Sequence, residues 1–572
     1  MDETGTRNLQ WSTCLIQMLV ESGVDRFIIS PGSRSTPLAL AAARNQTAEH
    51  WVIIDERDAA FFALGQSRKR GTPSALICTS GSAVANWLPA VVEANHSATP
   101  LLLLSADRPP ELHNCGANQT IEQHNLFGEQ VRGSYTTPPP DEIEEPLQRL
   151  STLVPQLIQR MSHPLPGPVH LNIPLRKPLL SEDSTSIDCQ SHHSLPAQVE
   201  GSEAGQPIDK TDYQALARTI HGEPGLILCG EGSYDESFYP LLEKLAERLD
   251  SPIIADPLSN LRWGHPENRR LITHYDGLLR GRGAANLTHP EWIIQFGRFP
   301  LSSSLENFLQ QRPPPRYITV HHKTLWSDPL SLSTQKLEID PSSFCTGLLG
   351  HCGNNASLPE YNHTLQQQEK RAAEWSSSES ALNEHQIIQT LRQQLPDGAL
   401  LFSGNSMAIR DLDGWLASRE QPLQLFANRG ASGIDGNLAT VCGIRSTTGS
   451  DTPVVALLGD LTLFHNLNAL YLAKESGMNL TILLLNNGGG NIFSYLPPAE
   501  LDEFESLWLT PTTIDFKKAA QLYDIPYRSI DQQNELQQLG DAFRQGGPKL
   551  IELVVDRNSS NHIHQQYWES LH

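Results

Sequence analysis

The chain is short of positive charge. Its 572 residues hold 42 Lys plus Arg against 64 Asp plus Glu, a formal net charge of −22. Without a basic face, neither nucleic acid nor an anionic membrane is an expected partner. A small anionic ligand stays open, because a pocket can be basic on an acidic protein. Paired cysteines are also lacking. Cys14, Cys78, Cys115, Cys189, Cys229, Cys345, Cys352 and Cys442 are scattered with no CxxC. That signals neither a zinc site nor a redox dithiol, and scattered thiols suit a reducing compartment. No apolar run approaches the roughly 18 residues that span a bilayer. Met1 to Trp11 is polar and acidic, unlike a secretory signal. No GxGxxG lies between a strand and a helix, which disfavours a Rossmann-type dehydrogenase. The expectation is a soluble, cytoplasmic, multidomain protein.

What is present is a repeated alternation of short apolar runs with longer segments of helical period, the pattern of βα units around parallel sheets. At about 150 residues per domain the length allows three or four domains. The first block carries strand candidates Phe27–Ser30, Val52–Ile54, Ala75–Cys78, Leu101–Ser105 and Pro168–Pro174. After the first of these, Thr36 reads as an N-cap and Pro37 as the first helical residue. Residues 181–210 are polar and aperiodic and read as a linker. A smaller block has strands at Leu226–Cys229, Pro252–Ala255, Trp292–Phe296 and Tyr317–Val320. Residues 351–385 are polar and read as a loop with one helix. The last block has strands at Leu400–Phe402, Gln424–Ala427, Val454–Leu458, Thr481–Leu485 and Leu550–Val555. The expected fold is α/β, three doubly wound parallel-sheet domains with boundaries near 1–185, 205–355 and 380–572.

The chemistry concentrates in the last block. Asp460 follows the strand Val454–Leu458, and Asn486-Asn487-Gly488-Gly489-Gly490 follows the next strand. Ligands of open α/β sheets bind at such strand ends. Asp460, the Asn487 amide and the Gly489 carbonyl are hard oxygen donors of the kind Mg²⁺ takes. The glycines would let the backbone approach a diphosphate, and one helix from Asp460 to about Glu475 would point its N-terminus at the same anion. Either turn alone is an ordinary βα connection. Their spacing, Gly-Asp and then Asn-Asn with 486 − 459 = 27 residues between Gly459 and Asn486, resembles the signature of thiamine diphosphate enzymes. Many of those have Gly-Asp-Gly where this chain has Leu461.

The resemblance narrows to one branch, the 2-succinyl-5-enolpyruvyl-6-hydroxy-3-cyclohexene-1-carboxylate synthases of menaquinone biosynthesis. The stretches SPGSRSTPLALAAA (30–43), DER (55–57), TSGSAVAN (79–86) and ADRPPELHNCGANQT (106–120) carry it in the first block. GNSMAIR (404–410), NRGASGIDG (428–436), GDLTLFHNLNAL (459–470) and NNGGGNIFSYLP (486–497) carry it in the last. It implies a transferase that decarboxylates 2-oxoglutarate and adds the succinyl unit to isochorismate. It implies thiamine diphosphate with Mg²⁺ (or Mn²⁺), the metal on Asp460, Asn487 and Gly489, and a homodimer or dimer of dimers. Glu56 would be the catalytic glutamate that hydrogen-bonds the aminopyrimidine, although capping of the following helix is its other reading. Ser432, Ile434, Ile492 and Phe493 would complete the cofactor site. Arg34, Arg108, Arg410 and Arg429 would read substrate carboxylates. Ser33, Asn118, Gln119 and Ser406 would add hydrogen bonds, and Leu496 an apolar wall.

Two departures stand out. Serines follow Phe296-Gly297-Arg298-Phe299-Pro300 where the family often has a Lys-Arg pair, which leaves Arg280 or Arg282 to substitute. Gly488 replaces a third Asn. The nearest alternative is another 2-oxoacid decarboxylase or carboligase of the acetolactate-synthase type. A non-catalytic relative is a second class, and it would be expected to have lost Glu56, Asp460 or Asn487.

Overall fold

The computed structural model describes residues 3–141, 144–180, 212–266, 268–280, 287–322, 327–353, 356, 359–377, 379, 381–475 and 477–571. The linker expected at 181–210 lies outside the described residues, as does Arg282. The chain divides into two compact units. One holds Met1–Gly205, Asn428–Gly449 and His465–Met478, and the other holds Gln206–Ala427, Ser450–Phe464 and Asn479–His572.

Three six-stranded, all-parallel sheets carry the fold. The first joins β1 (Arg26–Ile29), β2 (Glu49–Val52), β3 (Ser74–Cys78), β4 (Leu101–Asp107), β5 (Gly133–Thr136) and β6 (Pro168–Pro174) in the order β2-β1-β3-β4-β6-β5. The second joins β7 (Gly225–Cys229), β8 (Ile253–Ala255), β9 (Leu271–Ile272), β10 (Trp292–Phe296), β11 (Arg316–His321) and β12 (Gln335–Glu338) in the order β12-β11-β10-β7-β8-β9. The third joins β13 (Ala399–Ser403), β14 (Leu423–Ala427), β15 (Val454–Gly459), β16 (Leu480–Asn486), β17 (Tyr527–Ile530) and β18 (Pro548–Val554) in the order β14-β13-β15-β16-β18-β17. Each sheet is doubly wound, and its switch point lies between β1 and β3, β7 and β10, or β13 and β15.

The central strands are buried on both faces and therefore read as unbroken apolar runs. Four strands gave no sequence signal: β5, β9, β12 and β17. All four are sheet edges, where one flank needs no apolar partner. β2 corrects the expected strand at Val52–Ile54. The pairing runs Arg26↔Glu49 to Ile29↔Val52, three residues earlier. The Val-Ile-Ile run that suggested the strand is partly a surface feature, with Val52 62% and Ile54 69% exposed.

Local helix starts differ in detail as well. Ser35, not Thr36, is the cap residue of the helix Thr36–Arg44, and no side chain caps it. Thr36 Oγ1 donates instead to the Ser33 carbonyl. The single helix expected from Asp460 to Glu475 is two, Asp460–Phe464 and Ala469–Glu475. The expected helix between the second and third blocks is Pro359–Glu374. Among the described residues no helix is long and apolar enough to cross a membrane. Among the described residues six cysteines are free, but Cys14 is disulfide-bonded, so the reduced-thiol expectation does not hold there.

In the first unit, glycines set one close helix crossing. A Cβ on Gly65 of the helix Glu56–Arg70 would lie 2.1 Å from the Thr440 carbonyl oxygen, and one on Gly443 would lie 2.0 Å from that of Phe62. The helix Asn437–Ser446 therefore packs backbone to backbone against the helix that begins at Glu56. In the second unit the middle and last sheets share a continuous apolar core. Arg262, 1% exposed, bonds Asp413 at its centre at 2.5 Å.

Candidate active site

The loops that leave β1, β3 and β4 meet at the first switch point. Gly32 makes this possible, since a Cβ there would fall 2.3 Å from the Thr79 side chain. Arg34 is 4% exposed and donates to the Leu175 carbonyl at 2.6 Å. Arg108 donates to Ser80 Oγ, and the Gln119 amide donates to the Ser80 carbonyl at 2.8 Å. Burial first, then the neighbouring Arg108 guanidinium, pulls Arg34 below its ordinary basicity. Neither arginine has a carboxylate within ion-pair distance among the described residues. Two adjacent, incompletely neutralised guanidinium groups make a locally positive pocket on an acidic protein. Ser33 and Asn118 are exposed on the same loops. Gln119 holds a positive φ of 56° and closes on Gly81.

Beneath this pocket runs a buried polar chain. The Asp107 carboxylate accepts the Arg108 N–H at 2.7 Å and the Asn172 amide at 2.8 Å. Asn172 Oδ1 accepts from Gln123 and from Ser105 Oγ, both at 2.9 Å. Because the Ser105 proton is spent there, its 2.7 Å contact with His170 Nε2 is an acceptance from Nε2–H. His170 is therefore the neutral Nε2–H tautomer, in line with burial pushing its pKa down to about 3. Gln123 Oε1 accepts the Gly81 N–H at 2.9 Å and so ties the chain to the Ser80 turn. Ser80 lay within a quoted motif, but Gln123 and Asn172 carried no sequence signal of a role.

Glu56 is the first residue of its helix and half-buried. The cap is Asp55, whose carboxylate accepts the N–H groups of Arg57 at 2.9 Å and Asp58 at 3.4 Å. The helix-cap reading of Glu56 therefore belongs to its neighbour. The only hydrogen bond to the Glu56 carboxylate among the described residues comes from Asn86, at 3.3 Å. In the same unit, the Gly430 and Ala431 N–H groups donate to Glu93 at 2.7 and 2.6 Å, which shapes the turn after Arg429. Ser432, exposed, has a positive φ of 62°, and Ile434 is half-buried.

In the second unit the third sheet's strand ends gather the other residues. β15 and β16 are neighbours, with Gly459 opposite Leu485. Asp460, 2% exposed, accepts the Leu461 N–H at Oδ1 and the Gly489 N–H at Oδ2, each at 2.7 Å. Burial pushes its pKa up to about 6 against those hydrogen bonds. Asn487 is 7% exposed, and its side chain makes no hydrogen bond among the described residues. Gly489, at φ +123°, sits where a Cβ would meet the Leu509 carbonyl oxygen at 2.2 Å. The turn is braced by Asn486, which donates to Glu552 at 2.6 Å. A buried carboxylate with no Lys or Arg partner among the described residues, a buried amide and a turn that only glycine fits suit a small divalent cation with water and phosphate completing the shell. The helix after Asp460 has only five residues, so the expected helix-end contribution to anion binding is not built here.

At this sheet's switch point, Ser406 has φ 66° and ψ −127°, a strained conformation for a side-chain-bearing residue. Arg410 donates to its carbonyl at 2.8 Å from one turn on. Ile492 and Phe493 are half-buried in the turn Asn491–Tyr495, and Leu496 is 46% exposed beyond it. In the middle sheet the serine substitutions have local uses. Ser302 caps the helix Ser303–Gln311 by accepting the Leu305 N–H at 3.1 Å, and it donates to Asp276 at 2.6 Å. Ser304 is buried. Arg298 lies 3.8 Å from Glu231, while Arg280 pairs with Asp276 at 3.0 Å and stacks on Trp568.

Comparison with known proteins decides the lineage. Residues 10–126 match the N-terminal TPP-binding domain of thiamine pyrophosphate (diphosphate) enzymes, 205–403 their middle domain, and 412–553 their C-terminal TPP-binding domain. The chain is 40% identical over 561 residues to the 2-succinyl-5-enolpyruvyl-6-hydroxy-3-cyclohexene-1-carboxylate synthase of Dechloromonas aromatica, covering 97% of this chain and 99% of that one. The chain belongs to this synthase family. The synthase of Chloroflexus aurantiacus is 39% identical over 569 residues, covering 98% and 95%. That of Desulfitobacterium hafniense is 36% identical over 554 residues, covering 96% and 98%. The synthase family is thus matched along nearly the whole length, through both switch points that carry Arg34 and Asp460.

Proposed function

We propose that the chain decarboxylates 2-oxoglutarate and adds the succinyl unit to isochorismate in a 1,4-addition. The products are 2-succinyl-5-enolpyruvyl-6-hydroxy-3-cyclohexene-1-carboxylate and CO₂. The observation that carries the substrate class is the Arg34–Arg108 pair, two adjacent guanidinium groups that, among the described residues, have no carboxylate within ion-pair distance and only Asp107 as a more distant counter-charge. Charge-assisted, bidentate pairing to a carboxylate is what such a pair is suited to.

Thiamine diphosphate, when bound, supplies the electron sink for cleaving a 2-oxoacid. Asp460, Asn487 and the Gly489 carbonyl would hold Mg²⁺ (or Mn²⁺) against its diphosphate. Glu56 would hold a proton at the aminopyrimidine edge, a task for which Asp55 leaves it free. Ser432, Ile434, Ile492 and Phe493 would wall the cofactor. Arg410 and Arg429, with Ser33, Asn118, Gln119, Ser406 and Leu496, would orient the two dicarboxylates and keep water out. The exposed Val52 and Ile54 lie four and two residues before Glu56, and a second copy of the chain would cover them in a cytoplasmic homodimer or dimer of dimers.

The test is CO₂ release from 2-oxoglutarate with and without isochorismate. Formation of the succinyl adduct only with isochorismate supports the reading. Turnover of pyruvate in place of 2-oxoglutarate would favour an acetolactate-synthase-type carboligase.

A further inference from the structure

A partly open cavity that no part of the proposed reaction uses lies beside the middle sheet. It measures about 120 Å³ and lies between β7, β8 and β9 and the helices Tyr275–Leu278, Ser303–Gln311 and Pro359–Glu374. Its walls include Leu226, Ile254, Ile272, Leu278 and Phe308, each no more than 3% exposed. Among the described residues no charged one lines it. It is separate from the middle sheet's switch point, where Gly230 and Gly297 bring the ends of β7 and β10 together.

Close-packed interiors keep few voids larger than a water molecule. An apolar cavity of on the order of 150 Å³ stays dry and accepts a benzene-sized guest. This cavity is close to that size, but its wall is mixed: Tyr275, Thr288, Tyr361 and Thr364 bring hydroxyl groups to the aliphatic lining. Tyr361 is 8% exposed and lines the wall, yet its hydroxyl makes no hydrogen bond among the described residues. A tyrosine hydroxyl that lines a cavity ordinarily takes a partner there, from water or from a guest. The other tyrosine of the wall, Tyr275, is satisfied by donating to Asp413 at 3.1 Å.

We infer that this cavity is a binding site for a neutral, single-ring molecule bearing one hydrogen-bonding oxygen, which Tyr361 would engage. The ring matches the volume and the aliphatic walls. Neutrality follows from the walls, since an unpaired charge would be strongly disfavoured there.

Phenol and benzene serve as probes, titrated into the full chain by calorimetry or ligand-observed NMR. Saturable binding of both is expected. Tyr361→Phe should weaken phenol about fivefold, the loss of one ordinary hydrogen bond, and leave benzene unchanged. Leu365→Phe, which fills the cavity from the Pro359–Glu374 helix, should weaken both at least tenfold. If Leu365→Phe does not fold, the Tyr361→Phe comparison decides alone. No saturable binding of either probe to the wild type overturns the inference, as does phenol binding that Tyr361→Phe leaves unchanged.

Discussion

The Asp460 carboxylate and the Gly489 N–H meet at 2.7 Å across 29 residues of sequence. The bond fixes the end of β15 against the turn after β16 and aims a buried carboxylate at the space in front of the sheet. Asp460→Ala removes that carboxylate and the brace together. Mg²⁺-dependent binding of thiamine diphosphate should be lost by calorimetry, with near-normal affinity as the outcome that excludes the role.

Glu56 and Asp55 divide two tasks between adjacent carboxylates: Asp55 caps the helix, and Glu56 is held only by the Asn86 amide among the described residues. Glu56→Gln should keep cofactor affinity and slow exchange of the thiazolium C2 proton by about 10² or more, in the range general acid/base groups supply. Exchange is followed by NMR in D₂O. Asp55→Ala should instead lower stability by about 1 kcal/mol, the usual loss for an N-cap.

Arg108 anchors its loop through Ser80, so its removal affects a pocket already held by the Asp107–Asn172 chain. Arg108→Ala should raise the KM of one dicarboxylate at least tenfold while thiamine diphosphate affinity stays within twofold. Steady-state kinetics with each substrate varied in turn shows which one. Unchanged KM for both would remove Arg108 from the substrate site.

Gly65→Ala places a methyl 2.1 Å from a backbone oxygen that cannot swing away. We expect about 1–3 kcal/mol of destabilisation in urea unfolding. Gly414→Ala is the contrast. Also helical, it meets nothing within 4 Å and should be neutral or stabilising by up to about 1 kcal/mol.

His170 is held neutral, with a pKa pushed down to about 3 from an ordinary 6.5. A histidine depressed in the folded state binds its proton only on unfolding, so its neutral burial costs stability as pH falls below 6.5 and more so toward 3. At pH 5 that cost is roughly 2 kcal/mol. The stability difference between wild type and His170→Asn should therefore narrow by about that amount from pH 7 to pH 5 in denaturant titrations. A pH-independent difference would contradict the buried, neutral assignment.

The legible part of the protein was periodic or chemically unusual. Buried parallel strands must be apolar throughout, so β3, β4, β10, β15 and β16 stood out along the chain. Asp460 and Asn487 stood out because a carboxylate and an Asn-Asn-Gly turn follow two such strands. The polar edge strands β5 and β12 were illegible because their pairing partner, not their composition, makes them strands. The Val52–Ile54 run misled because apolar residues also lie on open surface.

By itself the sequence determined the fold class, the family and the residue types at the strand ends, since hydrophobic period and motif spacing are local properties of the chain. Tertiary structure alone decided that Asp55 rather than Glu56 caps the helix, because capping depends on which carboxylate the backbone turns toward the free N–H groups. It likewise decided that Arg34 and Arg108 share one pocket and that Asn172, Gln123 and His170 support it. Asn172 and His170 are each 65 residues from their partners Asp107 and Ser105, and only packing of β4 against β6 brings them within hydrogen-bond reach.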